Sequence, residues 1–369
     1  MMEIKKKIIL AAGGTGGHLY GAISLSEELE LKGYKVFLFT DKRVESLAKS
    51  FSLENIKIIP SGTFTNTNFF YWPITFFKII SGIVLSLFYI INIRPSLVIG
   101  FGGYPTIPIL ISAKISKIKI IIHEQNSIIG RANKFLIMIC DKITTGFHKT
   151  IGIKNIYSHK IIYTGNPVRS EIFKHKKEYI KHDKNGAFNL LIFGGSQGAS
   201  FFSEMIPFSI NKLVEDKKSL LHVFHQVREG QVDKVKSYYD SKNIKSDVKT
   251  FFFNLPKLLN NSHLLISRSG ASTVSEVYAT KIPAIFIPLP HSIDNDQELN
   301  TRELEKIGQV IVKKQKNIDS SILFKMLDKL MDEPEILEAM ARSNKKNYIN
   351  DSSKKISSLV DQIIQKERD

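Results

Sequence analysis

An apolar run that ends in a glycine cluster and passes at once into a helical pattern occurs twice in this chain. The first run, Lys7 to Ala12, ends in Gly13-Gly-Thr-Gly-Gly-His18. Leu19, Ala22, Ile23, Leu25 and Leu29 then recur at helical spacing, Gly33 punctuates, and Val36–Phe39 reads as a second strand. Strand, glycine turn, helix, strand is the opening of a parallel α/β sheet. Further strands are expected at Leu97–Gly100 and Ile118–Ile122. The pattern starts again at Phe188–Phe193, followed by Gly194-Gly-Ser-Gln-Gly-Ala199, with strands expected at Leu220–Phe224, Leu264–Ser267 and Ala284–Pro288. Two starts predict an α/β protein of two doubly wound domains rather than one extended sheet. A length of 369 residues agrees, at roughly 150 per domain. The join is expected between Gly165-Asn-Pro-Val-Arg169 and the Lys-rich stretch Lys174–Asn185. Glu303 to the C-terminus reads as helical and charged, ending in a helix around Lys354–Lys366.

Hydrophobic residues at 43% and charged residues at 24% exclude a mostly disordered chain and a polytopic membrane protein. Fifty-two Lys and Arg against 35 Asp and Glu leave a net charge of +17, which draws the chain to something anionic: nucleic acid, acidic lipid headgroups or a phosphorylated substrate. The competing reading is a merely solvated lysine surface. Cys140, the single cysteine, lies in the apolar run Phe135–Cys140 and reads as a buried structural thiol in a reducing cytosol. Lys5–Lys7 ahead of Ile8–Leu10 mimics a signal peptide, but Gly13 cuts the apolar core short, so no export signal is expected.

One segment departs from the α/β pattern. From Phe69 to Ile93 the only charge is Lys78, which meets the length and apolarity rule for a membrane span. A span is disfavoured because Pro73 interrupts its start and Asn92-Ile-Arg94-Pro95 leads straight into a strand of the first domain. Thr75, Lys78, Ser81, Gly82, Ser86, Tyr89 and Asn92 form a thin polar stripe at helical spacing. Such a helix packs in the core, or rests one face in the membrane interface with Trp72, Tyr71 and Lys78 at headgroup level.

Three strand-to-helix turns offer chemistry. Glycines let a backbone approach a ligand and present N–H groups at a helix start, where phosphate is favoured. At Gly13–His18 the dinucleotide fingerprint fails, because Leu19 stands where its third glycine belongs, and the P-loop Gly-Lys-Ser/Thr is absent. His18 at the helix start sits in a field that keeps it neutral and able to accept a proton, or it is only a capping imidazole. In the second turn Ser196 either caps the next helix or bonds a phosphate oxygen. In the third, Arg268-Ser-Gly-Ala-Ser-Thr-Val-Ser-Glu276, Arg268 offers charge to a pyrophosphate. Glu276 forms a capping box with Thr273 or grips ribose hydroxyls. His123-Glu-Gln-Asn126 is expected as a polar loop after a strand ending at Ile122. Gly102-Gly-Tyr104 forms a similar strand-end loop. Asp294-Asn-Asp-Gln297 with Asn300 follows Pro288 and Pro290 after the last expected strand, and His225-Gln226 is a weaker instance. No metal-ligand spacing occurs, so no metal is expected. A departing pyrophosphate is then stabilised by helix N-termini, Ser196 and Arg268.

Together and in this order these motifs resemble the MurG glycosyltransferases, which move N-acetylglucosamine from its UDP-sugar onto lipid I to make lipid II for peptidoglycan. The resemblance rests on Gly13–His18, Gly102-Gly-Tyr104, His123-Glu-Gln-Asn126 with Asn133, Gly165–Arg169, Gly194–Ala199, His225-Gln226, Arg268–Glu276 and the Asp294, Gln297, Asn300 loop. It implies a GT-B fold, two Rossmann-like domains facing across a cleft: 1–165 for the acceptor and membrane, 166–345 for the UDP-sugar. A C-terminal helix at 346–369 can pack back on the first domain. It implies an inverting hexosyltransferase in which the 4-hydroxyl of the muramyl sugar attacks directly, with His18 as general base and Glu124 second. The donor would be bound by Thr15, Gly16, Gly17, Asn126, Arg169, Ser196, Gln197, Phe252, Arg268, Ala271, Ser272, Thr273, Glu276 and Gln297. Gly14, Tyr104, His123 and Asn133 would line the acceptor side or cleft. Trp72, Phe76, Phe77, Ile80, Val84 and Phe88 would form a patch resting on an anionic membrane at the cytoplasmic face of the inner membrane. No tightly bound cofactor is implied, since UDP-N-acetylglucosamine is a substrate. Cell-wall synthesis or division proteins are the implied protein partners.

The chain departs from the family pattern where Phe251-Phe-Phe-Asn-Leu255 replaces Phe-Ile-Asp-Asp-Met, where Asp296 replaces His or Gln, and where Ser203 replaces an Asn. Three other readings compete. One is another GT-B enzyme using a UDP-sugar, such as a glycolipid glycosyltransferase or an epimerase. Another is a nicotinamide oxidoreductase, prompted by Asp41 after the second strand. The third is a nucleic-acid binder prompted by charge, against which no RNA- or DNA-binding module is recognisable.

Overall fold

The computed structural model describes residues 6–14, 16–42, 55–62, 72–174, 178–290, 292–343 and 352–365, without the side chains of 195–199 and 293. Two compact units result: residues 1–169 with 351–369, and residues 170–350.

The first unit runs β1 (Lys7–Ala11), α1 (Gly16–Leu31), β2 (Lys35–Thr40), β3 (Ile56–Ile58), α2 (Trp72–Ile93), β4 (Leu97–Gly100), α3 (Thr106–Ile115), β5 (Lys119–Glu124), α4 (Arg131–Leu136), β6 (Lys142–Thr145) and β7 (Ile161–Tyr163). Its seven strands are all parallel in the order β3-β2-β1-β4-β5-β6-β7. The second unit runs α5 (Ser170–Lys174), β8 (Phe188–Phe193), α6 (Gly195–Asn211), α7 (Glu215–Leu220), β9 (Leu221–Gln226), α8 (Val232–Ser241), β10 (Lys245–Lys249), α9 (Leu255–Asn261), β11 (Leu264–Ser267), α10 (Ala271–Thr280), β12 (Ala284–Phe286), α11 (Asp296–Lys306), β13 (Val310–Val312), α12 (Ser320–Asp332) and α13 (Pro334–Ser343). Its six parallel strands follow the order β10-β9-β8-β11-β12-β13. Both orders reverse direction beside the first strand of the unit, between β1 and β4 and between β8 and β11. Open α/β sheets bind ligands at that switch point, outside the carboxyl ends of the strands. Each glycine turn follows the first strand of its unit, and therefore borders a switch point.

The inner strands β1, β4, β11 and β12 are buried on both faces, as parallel strands covered by helices must be. Ile8, Leu10, Leu38 and Ile99 pack under α1, while Ile9, Phe39, Val98 and Ile120 pack under α3 and α4. The chain returns to the first unit with α14 (Ser352–Gln365), whose Ile356, Leu359, Val360 and Ile364 join the core beside α1. Asp361 of α14 accepts from Lys32 Nζ at 2.8 Å and from Tyr34 Oη at 2.6 Å. Cys140 is buried, and its thiol is pushed up to about 11, chiefly by burial.

The structure corrects several expectations. β5 extends to Glu124, so His123 and Glu124 lie on the strand rather than in a loop. The strand at Ala284 is not the last, because β13 interrupts the C-terminal charged stretch. Gly270 opens α10 with no side-chain cap, so Thr273 and Glu276 make no capping box, and Gly194 rather than Ser196 occupies the cap position of α6.

α2 is the largest difference. Core packing would bury an all-apolar helix on every side, yet only Gly82, Ser86, Ile90 and Ile93 are buried. The small members of the polar stripe are the inward face. A Cβ on Gly82 would stand 2.1 Å from the Pro60 carbonyl oxygen and 3.1 Å from Pro108 Cβ of α3, so only glycine permits this approach to the Pro60 backbone. Ser112 of α3 donates to the Ile83 carbonyl at 2.9 Å. Small residues inside leave the large ones outside: Trp72, Ile74, Phe76, Phe77, Ile80, Val84, Phe88 and Ile91 are all exposed. By length and composition alone this helix is also sufficient to cross a membrane.

Candidate functional site

In the first unit the loops after β1, β4 and β5 interlock at the carboxyl edge of the sheet. Gly14 adopts φ 86° and donates its amide to Asp41 Oδ2 at 3.0 Å. The loop after β4 lies so close that a Cβ on Gly103 would stand 2.5 Å from the Gly13 carbonyl oxygen. His18, in the first turn of α1, rests against Phe101–Gly102. Its imidazole is pushed down to about 4, first by burial, with a hydrogen bond to the Phe101 backbone opposing. The ring is therefore neutral at physiological pH, as expected, although burial rather than the helix field is the main cause. Its Nδ1 is buried without a partner.

Behind this turn lies a closed polar knot. His123 Nδ1 pairs with Thr144 Oγ1 at 2.9 Å and Nε2 with Asn166 Oδ1 at 3.0 Å; Asn166 Nδ2 donates to the Gln125 carbonyl at 2.9 Å. Burial holds His123 near 4. The Glu124 carboxylate accepts from Asn126 N (2.9 Å) and Nδ2 (3.4 Å), Gly130 N (2.9 Å) and Asn133 Nδ2 (2.8 Å). Burial raises its pKa while those hydrogen bonds lower it. Asn133 Nδ2 also donates to the His123 carbonyl at 3.1 Å. His123 and Asn133, expected on the acceptor side or cleft, are thus buried braces of the Gln125–Gly130 loop. Glu124 has both oxygens committed to holding that loop. Gln125 Nε2 ties the knot to the Gly17 carbonyl at 3.3 Å. Arg169 stacks its guanidinium over the Tyr20 ring at 4.7 Å. Tyr104 is partly exposed in the loop before α3, and Thr15 lies outside the described residues.

In the second unit, Arg268 is the hub. Its Nη1 donates to the Ile287 and Pro288 carbonyls at 2.9 and 3.1 Å, and Nη2 donates to Gln315 Oε1 at 2.7 Å. The guanidinium also lies 5.3 and 4.9 Å from the Phe201 and Phe202 rings. Burial pushes it down to about 10, so it stays cationic. Its buried Nε has no hydrogen-bond partner among the described residues. Gln297 Oε1 accepts from Ser269 N at 3.3 Å and Leu289 N at 2.9 Å, stapling the loops after β11 and β12. Asn300 Nδ2 reaches the Ser269 carbonyl at 3.3 Å. Asp294 and Asn295 both take left-handed backbone angles just before α11, and burial raises the pKa of Asp296. Ala271, Ser272 and Thr273 form the first turn of α10, with Glu276 buried one turn on. Phe252 is buried, whereas Phe253 is 83% exposed and edge-on to Phe251. His225 is fully buried against Tyr239 Oη at 3.0 Å. Ser196 and Gln197 fall in the first turn of α6, and their side chains lie outside the described residues.

Reasoning from sequence missed the tethering roles of Asp41, Asn166 and Gln315. Asn166 adjoins Gly165 and Asp41 is an acid directly after the apolar strand β2, which were the available signals; nothing marks Gln315.

The comparisons agree with both sheets. Residues 8–145 match the glycosyltransferase family 28 N-terminal domain and residues 189–356 the C-terminal domain. The UDP-N-acetylglucosamine–N-acetylmuramyl-(pentapeptide) pyrophosphoryl-undecaprenol N-acetylglucosamine transferase of Bartonella bacilliformis is 39% identical over 94% of this chain and 90% of its own length. The crystal structure of Acinetobacter baumannii MurG superposes with TM-score 0.74 at 25% identity, over 97% of this chain and 99% of that one. The Neisseria meningitidis UDP-GlcNAc 2-epimerase, at 17% identity and TM-score 0.65 over 96% and 100%, shares the fold alone. With its two Rossmann-like units in the GT-B pattern, the chain belongs to glycosyltransferase family 28 and, within it, to the MurG family of N-acetylglucosaminyltransferases.

Proposed function

We propose that the protein transfers N-acetylglucosamine from UDP-N-acetylglucosamine to the 4-hydroxyl of the muramyl sugar of lipid I. The near-full-length match to relatives named for that reaction carries the reading. The second unit holds the donor. Its β8 and β11 turns bring two helix N-termini to the switch point, where anions are favoured, and Arg268 supplies a buried positive charge held by backbone carbonyls. As the bond from the anomeric carbon to the UDP oxygen breaks, these groups stabilise the departing diphosphate. The first unit holds the acceptor. Neutral His18 takes the proton of the attacking hydroxyl, and inversion follows from the single displacement. Glu124, with four hydrogen bonds to its oxygens, holds the Asn126 loop rather than accepting that proton.

The exposed face of α2 rests in the bilayer interface, placing the protein peripherally at the cytoplasmic face of the inner membrane, where a lipid-linked acceptor is reached. The +17 charge adds attraction to anionic headgroups. The test is radiolabelled sugar transfer from UDP-N-acetylglucosamine to lipid I in vesicles, with and without a chelator. Label in a lipid II product supports the reading. Label released as free sugar, epimerised, or passed only to another glycolipid refutes it.

A further inference from the structure

Asp41 immediately follows β2 and is only 7% exposed. In a dinucleotide-binding sheet a carboxylate near this place faces a ribose. Here its Oδ2 receives the Gly14 amide at 3.0 Å instead. Gly13, the residue before, is enclosed from both sides: a Cβ there would lie 3.0 Å from the same Oδ2 and 2.7 Å from Pro105 Cγ. Gly103 is packed in turn against the Gly13 carbonyl. Three adjacent strand ends, those of β2, β1 and β4, therefore meet at Gly13 and Gly14. His18 lies in the first turn of α1, four residues beyond Gly14, and its ring rests against Gly102 of the same interlock. A charge-assisted hydrogen bond is stronger than one between neutral groups, so the carboxylate is a firm tether for a glycine turn that is otherwise costly to order.

We propose that Asp41 is a positioning residue for sugar transfer, fixing the turn that opens α1 and with it the placement of His18. This rests on the reading of His18 as the base. A nucleophile or base displaced by about 1 Å can lose roughly a hundredfold in rate. Asp41→Ala should therefore lower kcat with lipid I by about 10- to 100-fold, while the Kd for UDP stays unchanged. Asp41→Asn keeps a side-chain oxygen for the Gly14 amide and should recover most of the rate. NMR titration of His18 adds a readout independent of turnover. In Asp41→Ala the ring should gain water, and its midpoint should rise from about 4 toward the ordinary histidine value. An active wild type with Asp41→Ala equally active overturns the proposal. So does Asp41→Asn as impaired as Asp41→Ala, or a matching loss of UDP affinity. An inactive wild type would instead refute the transferase reading, and the His18 titration would still decide whether Asp41 seats the ring.

Discussion

Replacing Phe77 and Val84 of α2 by Asp perturbs the membrane reading at positions where the fold has little to lose. The two side chains are 69% and 61% exposed, and neither belongs to the core clusters of the first unit. Fully burying such a side chain stabilises by about 1.5–3 kcal/mol, so two-thirds of that surface entering the bilayer interface is worth about 1–2 kcal/mol per residue. Losing both therefore costs about 2–4 kcal/mol of membrane affinity, roughly 30- to 700-fold in partition coefficient. The added carboxylates deepen the loss on anionic lipid. Sedimentation with phosphatidylglycerol-containing vesicles measures the change, and thermal unfolding without lipid checks that the fold is intact. The apolar contribution should survive about 0.5 M salt, which screens the lysine contribution within a few ångströms. Equal pelleting of variant and parent, with equal unfolding temperatures, would refute the argument. Complete release of the parent by salt would show that charge, not α2, holds the membrane.

The first unit supplies further tests. His18→Ala should lower turnover by about 10²–10⁴-fold, as loss of a general base does, with UDP affinity in calorimetry nearly unchanged. Because burial puts His18 near 4, the ring is unprotonated at neutral pH and gains its proton only as pH falls through that value. The acid limb of kcat/KM for lipid I should therefore lie well below pH 6.5, and a limb at 6.5 would count against His18 in the free enzyme. Glu124→Gln presents an NH₂ where the carboxylate accepted hydrogen bonds, leaving buried donors of the Asn126–Gly130 loop unpaired. A stability loss of about 1–3 kcal/mol should appear in denaturant unfolding. Unchanged stability with lost turnover would return Glu124 to the catalytic candidates.

What the sequence revealed and what it hid divide along physical lines. Lys7–Ala11 and Phe188–Phe193 were legible because a buried parallel strand is continuously apolar and the glycines after it mark the turn. The three-residue strands β3 and β13 were not, since Ile56–Ile58 and Val310–Val312 are too short to show a period. β10, Lys245–Lys249, reads as polar because it is an edge strand. The inward turn of the small residues of α2 depends on Pro60 and Pro108, partners that no local pattern reveals. The same holds in the site. The motif around His123 was recognisable, but its buried partner Asn166 is 43 residues away. Arg268 was legible as a charge at a strand end; its engagement with the Ile287 and Pro288 carbonyls required the fold.

Hydrogen exchange on the full-length protein, with UDP and with lipid I added separately, tests most directly whether each sheet edge serves one substrate. UDP should protect the amides of 194–199 and 268–273 and leave 13–18 and 101–105 exchanging as before, whereas lipid I should slow 13–18 and 101–105. Protection by UDP confined to the first unit, or absent from both turns of the second, would contradict it.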